Sequence, residues 1–322
     1  MKFRVLVTGG SGFIGTNLVE HFHARGDDVI NIDIARPRNP NHDAHWRHVD
    51  IMDMRALKTA TESFSPHVVF HMAARTDLAG NDIEDYSANV EGVRNVIEAL
   101  SALPELQRTI FASSMLVCKL GYRPHDDHDY NPSTVYGASK VAGERLVRLL
   151  GGRLPWTLVR PTSLWGPWFD IPYRKFFDAV RSGWYMHPKG VVVRRSYGFV
   201  LNSMIQLETL AFADIPLVHG KTFYLADYQP VELRAWAESI REAFDARRIN
   251  ESPIWLLRAA ATAGDALSIM GMKNPPLTSF RLANLTTEAV MDTAPLEIVC
   301  RSVPYGIREG VSITADWMKG LR

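Results

Sequence analysis

Short β-branched runs alternate with stretches of helical periodicity through the first half of the chain. Residues 3–8 read as a buried strand, followed by a glycine loop and a helix over 13–25. Further strands are expected at 28–33, 46–49, 67–71, 108–113 and 156–160, and helices at 54–61, 83–100 and 134–150. Strands joined by crossovers of this length run parallel, with helices covering both faces. The expected fold class is α/β, a doubly wound parallel sheet.

Beyond Pro161 the alternation loosens, and proline, glycine and tryptophan crowd between 161 and 190. A helix is expected over 231–244. Residues 254–272 are apolar and alanine-rich and stop at a Pro-Pro pair, 275–276. They read as a core or lid helix, in preference to a surface resting on lipid. The expected division is a first domain at 1–165 and a smaller, irregular one at 166–322, with some segments returning to the first. Trp165, Trp168, Tyr173, Trp184 and Tyr185 gather where the second begins, and a pocket wall is favoured for them over a core.

Composition narrows the function. The 322 residues are 46% hydrophobic and 22% charged, with a net charge of +1. Lysine and arginine are scattered, so no basic stripe offers itself to nucleic acid. Cys118 and Cys300 match no metal-ligand spacing and read as reduced thiols. The opening MKFRVLVTGGSGFIG breaks into glycines too early for a signal peptide, and no stretch reaches the ~18 apolar residues of a membrane span. A soluble, cytoplasmic protein is expected. His42, His45 and His48 fit no compact site and read as surface, so no metal is expected.

Gly9, Gly12 and Gly15 stand in V-T-G-G-S-G-F-I-G, directly after the first strand and opening the first helix. The first permits a tight turn and the second lets backbone approach a pyrophosphate. The third allows close helix–strand packing, while the helix N-terminus turns its N–H groups to the anion. Asp33 closes the second strand about twenty residues on, where a carboxylate bonds the adenosine ribose. Its charge repels a 2′-phosphate, so NAD is favoured over NADP; Arg36 and Arg38 soften that preference.

Tyr136 and Lys140, in Y-G-A-S-K, share one helix face a turn apart. Free tyrosine titrates near 10. A neighbouring ammonium and the positive nicotinamide ring would lower that value and suit Tyr136 to proton exchange with a hydroxyl as hydride moves. Ser114, ending F-A-S-S, would donate to the reacting oxygen, with Ser113 as a substitute.

With these residues the chain resembles the extended short-chain dehydrogenase/reductases, in their NAD-dependent epimerase/dehydratase branch. The matching pieces are T-G-G-S-G-F-I-G at 8–15, Asp33, Asp50-Ile51, H-M-A-A at 71–74 and N-V-E-G-V-R-N at 89–95. The serine pair, Y-G-A-S-K and R-P-T-S-L-W-G-P at 160–167 complete them. The resemblance implies a Rossmann domain followed by a substrate domain, with NAD held by Gly9, Gly12, Phe13, Ile14 and Gly15. It places Asp33 at the ribose, Asp50 and Ile51 at the adenine, and Ala73 and Ala74 along the dinucleotide. Asn89 would order a neighbouring loop, and Ser114, Tyr136 and Lys140 would form the catalytic triad, the last two also touching the cofactor. It also implies a homodimer packed through helices 83–100 and 134–150.

Where family dehydratases carry an Asp-Glu pair, this chain has Met115 and Leu116, which transfer no protons. Ser163 replaces the asparagine of R-P-x-N, and Asn202 the aspartate of a later motif. Arg194 and Arg195 are candidates to clamp a substrate diphosphate, their other reading being a solvated strand end. His187 reads as an exposed loop histidine. The expected activity is a nucleotide-sugar epimerase or ketoreductase acting on a small-molecule substrate. A hydroxysteroid-dehydrogenase-like or other lipid-alcohol oxidoreductase is the alternative, and a non-catalytic dinucleotide sensor ranks third.

Overall fold

In the computed structural model, which describes residues 2–170, 173–272, 275 and 277–320, seven parallel strands form one sheet. In chain order they are β1 (Arg4–Thr8), β2 (Asp28–Asp33), β3 (Trp46–His48), β4 (Val68–His71), β5 (Arg108–Ala112), β6 (Trp156–Pro161) and a seventh, Thr222–Leu225. Across the sheet the order is seventh, β6, β5, β4, β1, β2, β3. Four helices lie between the first six strands: α1 (Phe13–Ala24), α2 (Met54–Phe64), α3 (Ser87–Leu100) and α4 (Val135–Leu150).

Both faces are covered, and alternate residues of each strand point to opposite faces. Val5, Val7, Val68, Phe70, Ile110 and Val159 pack under Leu18, Val19 and Phe22 of α1 and Leu207 and Leu210 of the helix Val200–Phe212. Leu6, Val69, Phe111 and Leu158 pack on the other side against Leu57 of α2, Val93, Val96 and Ile97 of α3, and Val147 of α4. Asp53 caps α2 by accepting from Ala56 N–H at 3.0 Å, and Thr134 caps α4 by accepting from Gly137 N–H at 3.0 Å. Each cap satisfies a backbone donor at its helix start that has no intrahelical partner.

The chain divides into two compact units. One holds 1–164, 198–228 and 292–304; the other holds 165–197, 229–291 and 305–322. The helix Val200–Phe212 and the seventh strand, both absent from the expected elements, belong to the first. That helix buries Asn202, Ser203 and Gln206 beside its apolar residues, which blurs its period. The side-chain amide nitrogens are paired just after the seventh strand: Asn202 Nδ2 donates to Asp227 Oδ1 at 2.8 Å, and Gln206 Nε2 to the Ala226 carbonyl at 2.7 Å.

The second unit is built around Trp236 of the helix Leu233–Ala243. Trp165, Phe176, Phe177 and Tyr197 pack on its ring, with Phe176 stacked at 4.9 Å between centroids. Trp165 and Tyr185 are therefore core residues and not a pocket wall, while Trp184 is 81% exposed. Trp168 lies 5.7 Å from Trp317. The helix expected at 254–272 forms as Ile254–Ile269, but it is no core helix. It buries only Leu257, Ala261 and Gly264, leaving Trp255, Leu256, Ile269 and Met270 exposed. Of the Pro-Pro pair expected to end it, Pro276 lies outside the described residues. No helix among the described residues is long and apolar enough to cross a membrane.

Leu207 is fully buried under the sheet, so Leu207→Ala is expected to destabilise the protein by about 2–5 kcal/mol. Urea unfolding followed by circular dichroism measures this. An unchanged midpoint would remove the helix Val200–Phe212 from the core of the first unit.

Candidate active site

From the adjacent strands β1 and β4 the chain winds outward in opposite directions, and the crevice this opens lies beyond their C-terminal ends. Gly9 turns the chain there with φ +70°. A Cβ on it would lie 2.5 Å from the Ala73 nitrogen, and one on Gly15 would lie 2.1 Å from the Gly9 carbonyl oxygen. Only glycine fits either place. Gly12 is the N-cap of α1 and no side chain caps the helix, so the positive end of its dipole faces the crevice, with Phe13 and Ile14 in its first turn. This cradle suits a pyrophosphate.

Asp33 ends β2 beside that loop. Its carboxylate accepts from Ser11 N–H at 3.0 Å and Ala35 N–H at 2.8 Å. Arg38 Nε donates to the Ser11 carbonyl at 3.2 Å, and Arg36 lies over the Trp46 ring. Asp50 is exposed and accepts from Met52 N–H at 2.9 Å, while Ile51 is buried against Gly92 of α3. Ala73 and Ala74 follow β4, half-buried, and Ala73 N–H donates to Thr8 Oγ1 at 3.3 Å. Asn89 accepts from Arg75 N–H at 2.9 Å and donates at 2.9 Å to both the Arg75 carbonyl and Ser139 Oγ. It pins the segment after β4 to α4.

Ser114, Tyr136 and Lys140 meet at the end of β5. Ser114 accepts from Leu116 N–H at 3.1 Å and lies beside the Tyr136 phenol. Lys140 Nζ donates to the Ala112 carbonyl at 3.0 Å. Gly137 lets the start of α4 approach this turn, since a Cβ there would lie 2.2 Å from the Leu116 carbonyl oxygen. All three side chains are buried.

Without the nicotinamide ring, burial governs both protonation states. Burial pushes the Tyr136 phenol up to about 12, partly offset by Ser114, with Tyr86 adding to the rise. Burial also brings the Lys140 ammonium down to about 8, against the pull of Glu144. Desolvation disfavours the charged form of each group. In the ligand-free protein the lysine therefore does not bring Tyr136 into the neutral range.

Three residues behind the triad were not singled out as candidates. Glu144, one turn after Lys140, accepts from Arg160 Nε at 2.8 Å and Nη2 at 2.9 Å, and from Tyr130 O–H at 2.9 Å. Both side chains of the ion pair have no exposed area. His71 Nδ1 lies 2.7 Å from Thr8 Oγ1. Two signals in the sequence mark the pair: a carboxylate four residues after Lys140, and one charge inside the apolar strand W-T-L-V-R-P.

Other candidates lie elsewhere. Ser163 is buried just past β6. Arg194 is exposed, but Arg195 is buried, donating to the Asn284 carbonyl and lying over Tyr197, so it is neither a solvated strand end nor open to a diphosphate. His187 is buried between Tyr185 O–H at 2.9 Å and the Val191 carbonyl at 3.2 Å, not exposed on a loop. His42 is likewise buried rather than on the surface, and burial lowers it to about 4. Among the described residues no cluster of His, Cys, Asp or Glu is placed to hold a metal ion.

The model of the NAD dependent epimerase/dehydratase family matches residues 5–184, more than half of the chain and all of the crevice just described. The chain belongs to that family. It is an NAD-dependent enzyme of the epimerase and dehydrogenase kind, as the sequence motifs implied. A 3 beta-hydroxysteroid dehydrogenase/Delta 5-->4-isomerase of Mycobacterium tuberculosis is 29% identical over 261 residues, covering 74% of this chain and 69% of that protein. A UDP-glucose 4-epimerase of Mycolicibacterium smegmatis is 30% identical over 179 residues, 51% of this chain and 57% of the other. Among solved structures, UDP-glucuronic acid 4-epimerase from Bacillus cereus in complex with UDP-glucuronic acid and NAD shares the fold. It has a TM-score of 0.74 at 16% identity, over 99% of this chain and 100% of that one.

In ligand-free protein Tyr136 is expected to stay protonated past the usual tyrosine value near 10. Phenolate absorbance of the parent minus that of Tyr136→Phe should show no step between pH 9 and about 11. A step near 10 would mean that burial does not govern this phenol.

Proposed function

We propose that this enzyme moves hydride between NAD and a secondary alcohol or its ketone. Tyr136 exchanges the hydroxyl proton, Ser114 holds the oxygen, and Lys140 steadies the phenolate and the nicotinamide ribose. The gathering of buried Ser114, Tyr136 and Lys140 at the end of β5, with Lys140 anchored on the Ala112 carbonyl, carries this reading. Gly9, Gly12, Phe13, Ile14 and Gly15 hold the pyrophosphate, Asp33 the adenosine ribose, Asp50 and Ile51 the adenine, and Ala73 and Ala74 the dinucleotide wall. NAD, when bound, would supply the hydride acceptor and a positive charge. Tyr136, which burial otherwise holds protonated, would then give up its proton more readily. Ser114, donating to the substrate oxygen, fixes it against Tyr136.

For the substrate, a bulky apolar alcohol of the hydroxysteroid kind is favoured. A match over 74% of the chain must run past residue 184 into the second half, where substrate choice resides, whereas one over 51% need not. The burial of Arg195 and the serine at 163 point the same way, since neither supplies a diphosphate clamp. A second reading, a nucleotide-sugar epimerase or ketoreductase, draws support from the 30% identity to the UDP-glucose 4-epimerase. A homodimer through α3 and α4 completes the proposal.

NADH absorbance on adding a 3β-hydroxysteroid and NAD separates the two. Reduction of NAD is expected; interconversion of UDP-glucose without net NADH would install the second reading. Tyr136→Phe should lower turnover by about 10²–10⁴-fold with NAD affinity nearly intact, and unchanged turnover would sink the mechanism. Asp33→Ala should weaken NAD binding with a relative gain for NADP. No change in preference, measured by titration calorimetry, would remove Asp33 from the ribose.

A further inference from the structure

Beneath Lys140 lies a cavity of about 10 Å³, whose polar lining is His71, Asn89, Ser113, Lys140 and Glu144. That volume is room for a single water. His71 is buried, Thr8 occupies its Nδ1, and its Nε2 has no hydrogen-bond partner among the described residues. A buried ring nitrogen of this kind is normally satisfied by protein or by ordered water.

Glu144 lines the same cavity. Its carboxylate is held by the bidentate Arg160 pair and by Tyr130, and Arg160 is fixed in turn by the Asp127 carbonyl at 2.7 Å and the Tyr224 hydroxyl at 3.2 Å. Neither charge can move without breaking several bonds in a water-poor interior. Lys140 and Glu144 lie one turn apart on the same face of α4.

We infer that Glu144, clamped by Arg160, is a positioning residue for Lys140, acting across a one-water site that His71 Nε2 helps to hold. The water accepts from the ammonium and donates to the carboxylate, keeping Lys140 charged and aimed at the ribose and Tyr136. The inference rests on the proposed role of Lys140.

The titratable groups around Lys140 and Glu144 are Tyr136 on the same helix, His71 from β4, Tyr86 before α3 against Tyr136, Arg160 from β6 and Tyr130 on the Glu144 carboxylate, and Arg148 of α4, whose Nη2 lies 3.7 Å from Glu144 Oε2. Burial lowers His71 to about 3, so it stays neutral in the working range. Glu144 is pushed up by burial, but Arg160 outweighs this and holds it below the usual carboxylate range. It is therefore the standing negative charge beside Lys140.

Ammonium donation to the ribose is present below the lysine's pKa and lost above it. NAD affinity of the parent, measured by titration calorimetry against pH, should fall once pH passes about 8. Glu144→Gln alone strands Arg160 and risks unfolding, so the test is Glu144→Gln with Arg160→Gln, which removes both charges. Without the carboxylate the fall should begin lower, by roughly one to three pH units. A folded double variant with the parent's profile overturns the inference. Should the double variant not fold, a high-resolution crystal structure of the parent decides. One water bridging Lys140 and Glu144 supports the inference, and a dry cavity overturns it. Lys140→Met separates the two levels. If it retains the parent's pH profile, the assignment of Lys140 to the ribose fails; if it flattens the profile, only the role of Glu144 is in question.

Discussion

A parallel sheet buried on both faces leaves its strands no solvated side on which to carry polar groups. Val5, Leu6 and Val7 are wholly buried, as are Val68, Val69 and Phe70, and alternate residues feed two separate apolar layers. Chemistry is thereby driven to the C-terminal ends of the strands. The glycine turn follows β1, Asp33 ends β2, His71 and Ala73 close β4, and Ser114 follows β5. Helix α4 returns across one layer and delivers Tyr136 and Lys140 to the same edge. The site is a consequence of where a doubly covered sheet permits polar atoms.

Arg160 breaks that rule from inside β6, with no exposed area. A guanidinium there is tolerable only because Glu144 meets both its nitrogens and the remaining donors find Asp127 and Tyr224. The pair ties α4 to the sheet just below the lysine, so the electrostatics of the interior and the placement of the site have one origin. An apolar pair would hold the two elements together equally well. It would leave Lys140, already lowered by burial, without a nearby negative charge.

How much of this could be read in advance depended on how local the signal was. The first six strands and four helices follow from short β-branched runs and period-3.6 stretches punctuated by glycine, and the crevice residues from fixed spacings around them. The seventh strand and the helix Val200–Phe212 were not legible. That helix buries Asn202 and Gln206, whose partners at 226 and 227 become neighbours only once the strand is in place. The same holds for Trp165 and His187. An aromatic or a histidine in a proline-rich stretch looks like a surface or pocket residue until Trp236, Tyr185 and Val191 are brought around it. The helix Ile254–Ile269 misled in the other direction, because apolar composition predicts burial and most of its large side chains stay exposed.

The protonation of Tyr136 depends on more than its spacing from Lys140. A lysine one turn away suggests a lowered phenol, but both groups lie in the same poorly solvated space, and desolvation moves each toward its neutral form. Coulombic help from an ammonium requires that the ammonium itself stay charged, which is the burden placed on Glu144. It also requires a second positive charge before the phenolate becomes accessible at neutral pH, and the nicotinamide ring of bound NAD is the group of the right sign. In the proposed mechanism, proton exchange would then be confined to the loaded enzyme: the buried tyrosine would be inert until the crevice is filled, and would become a base where a hydride acceptor is already in place.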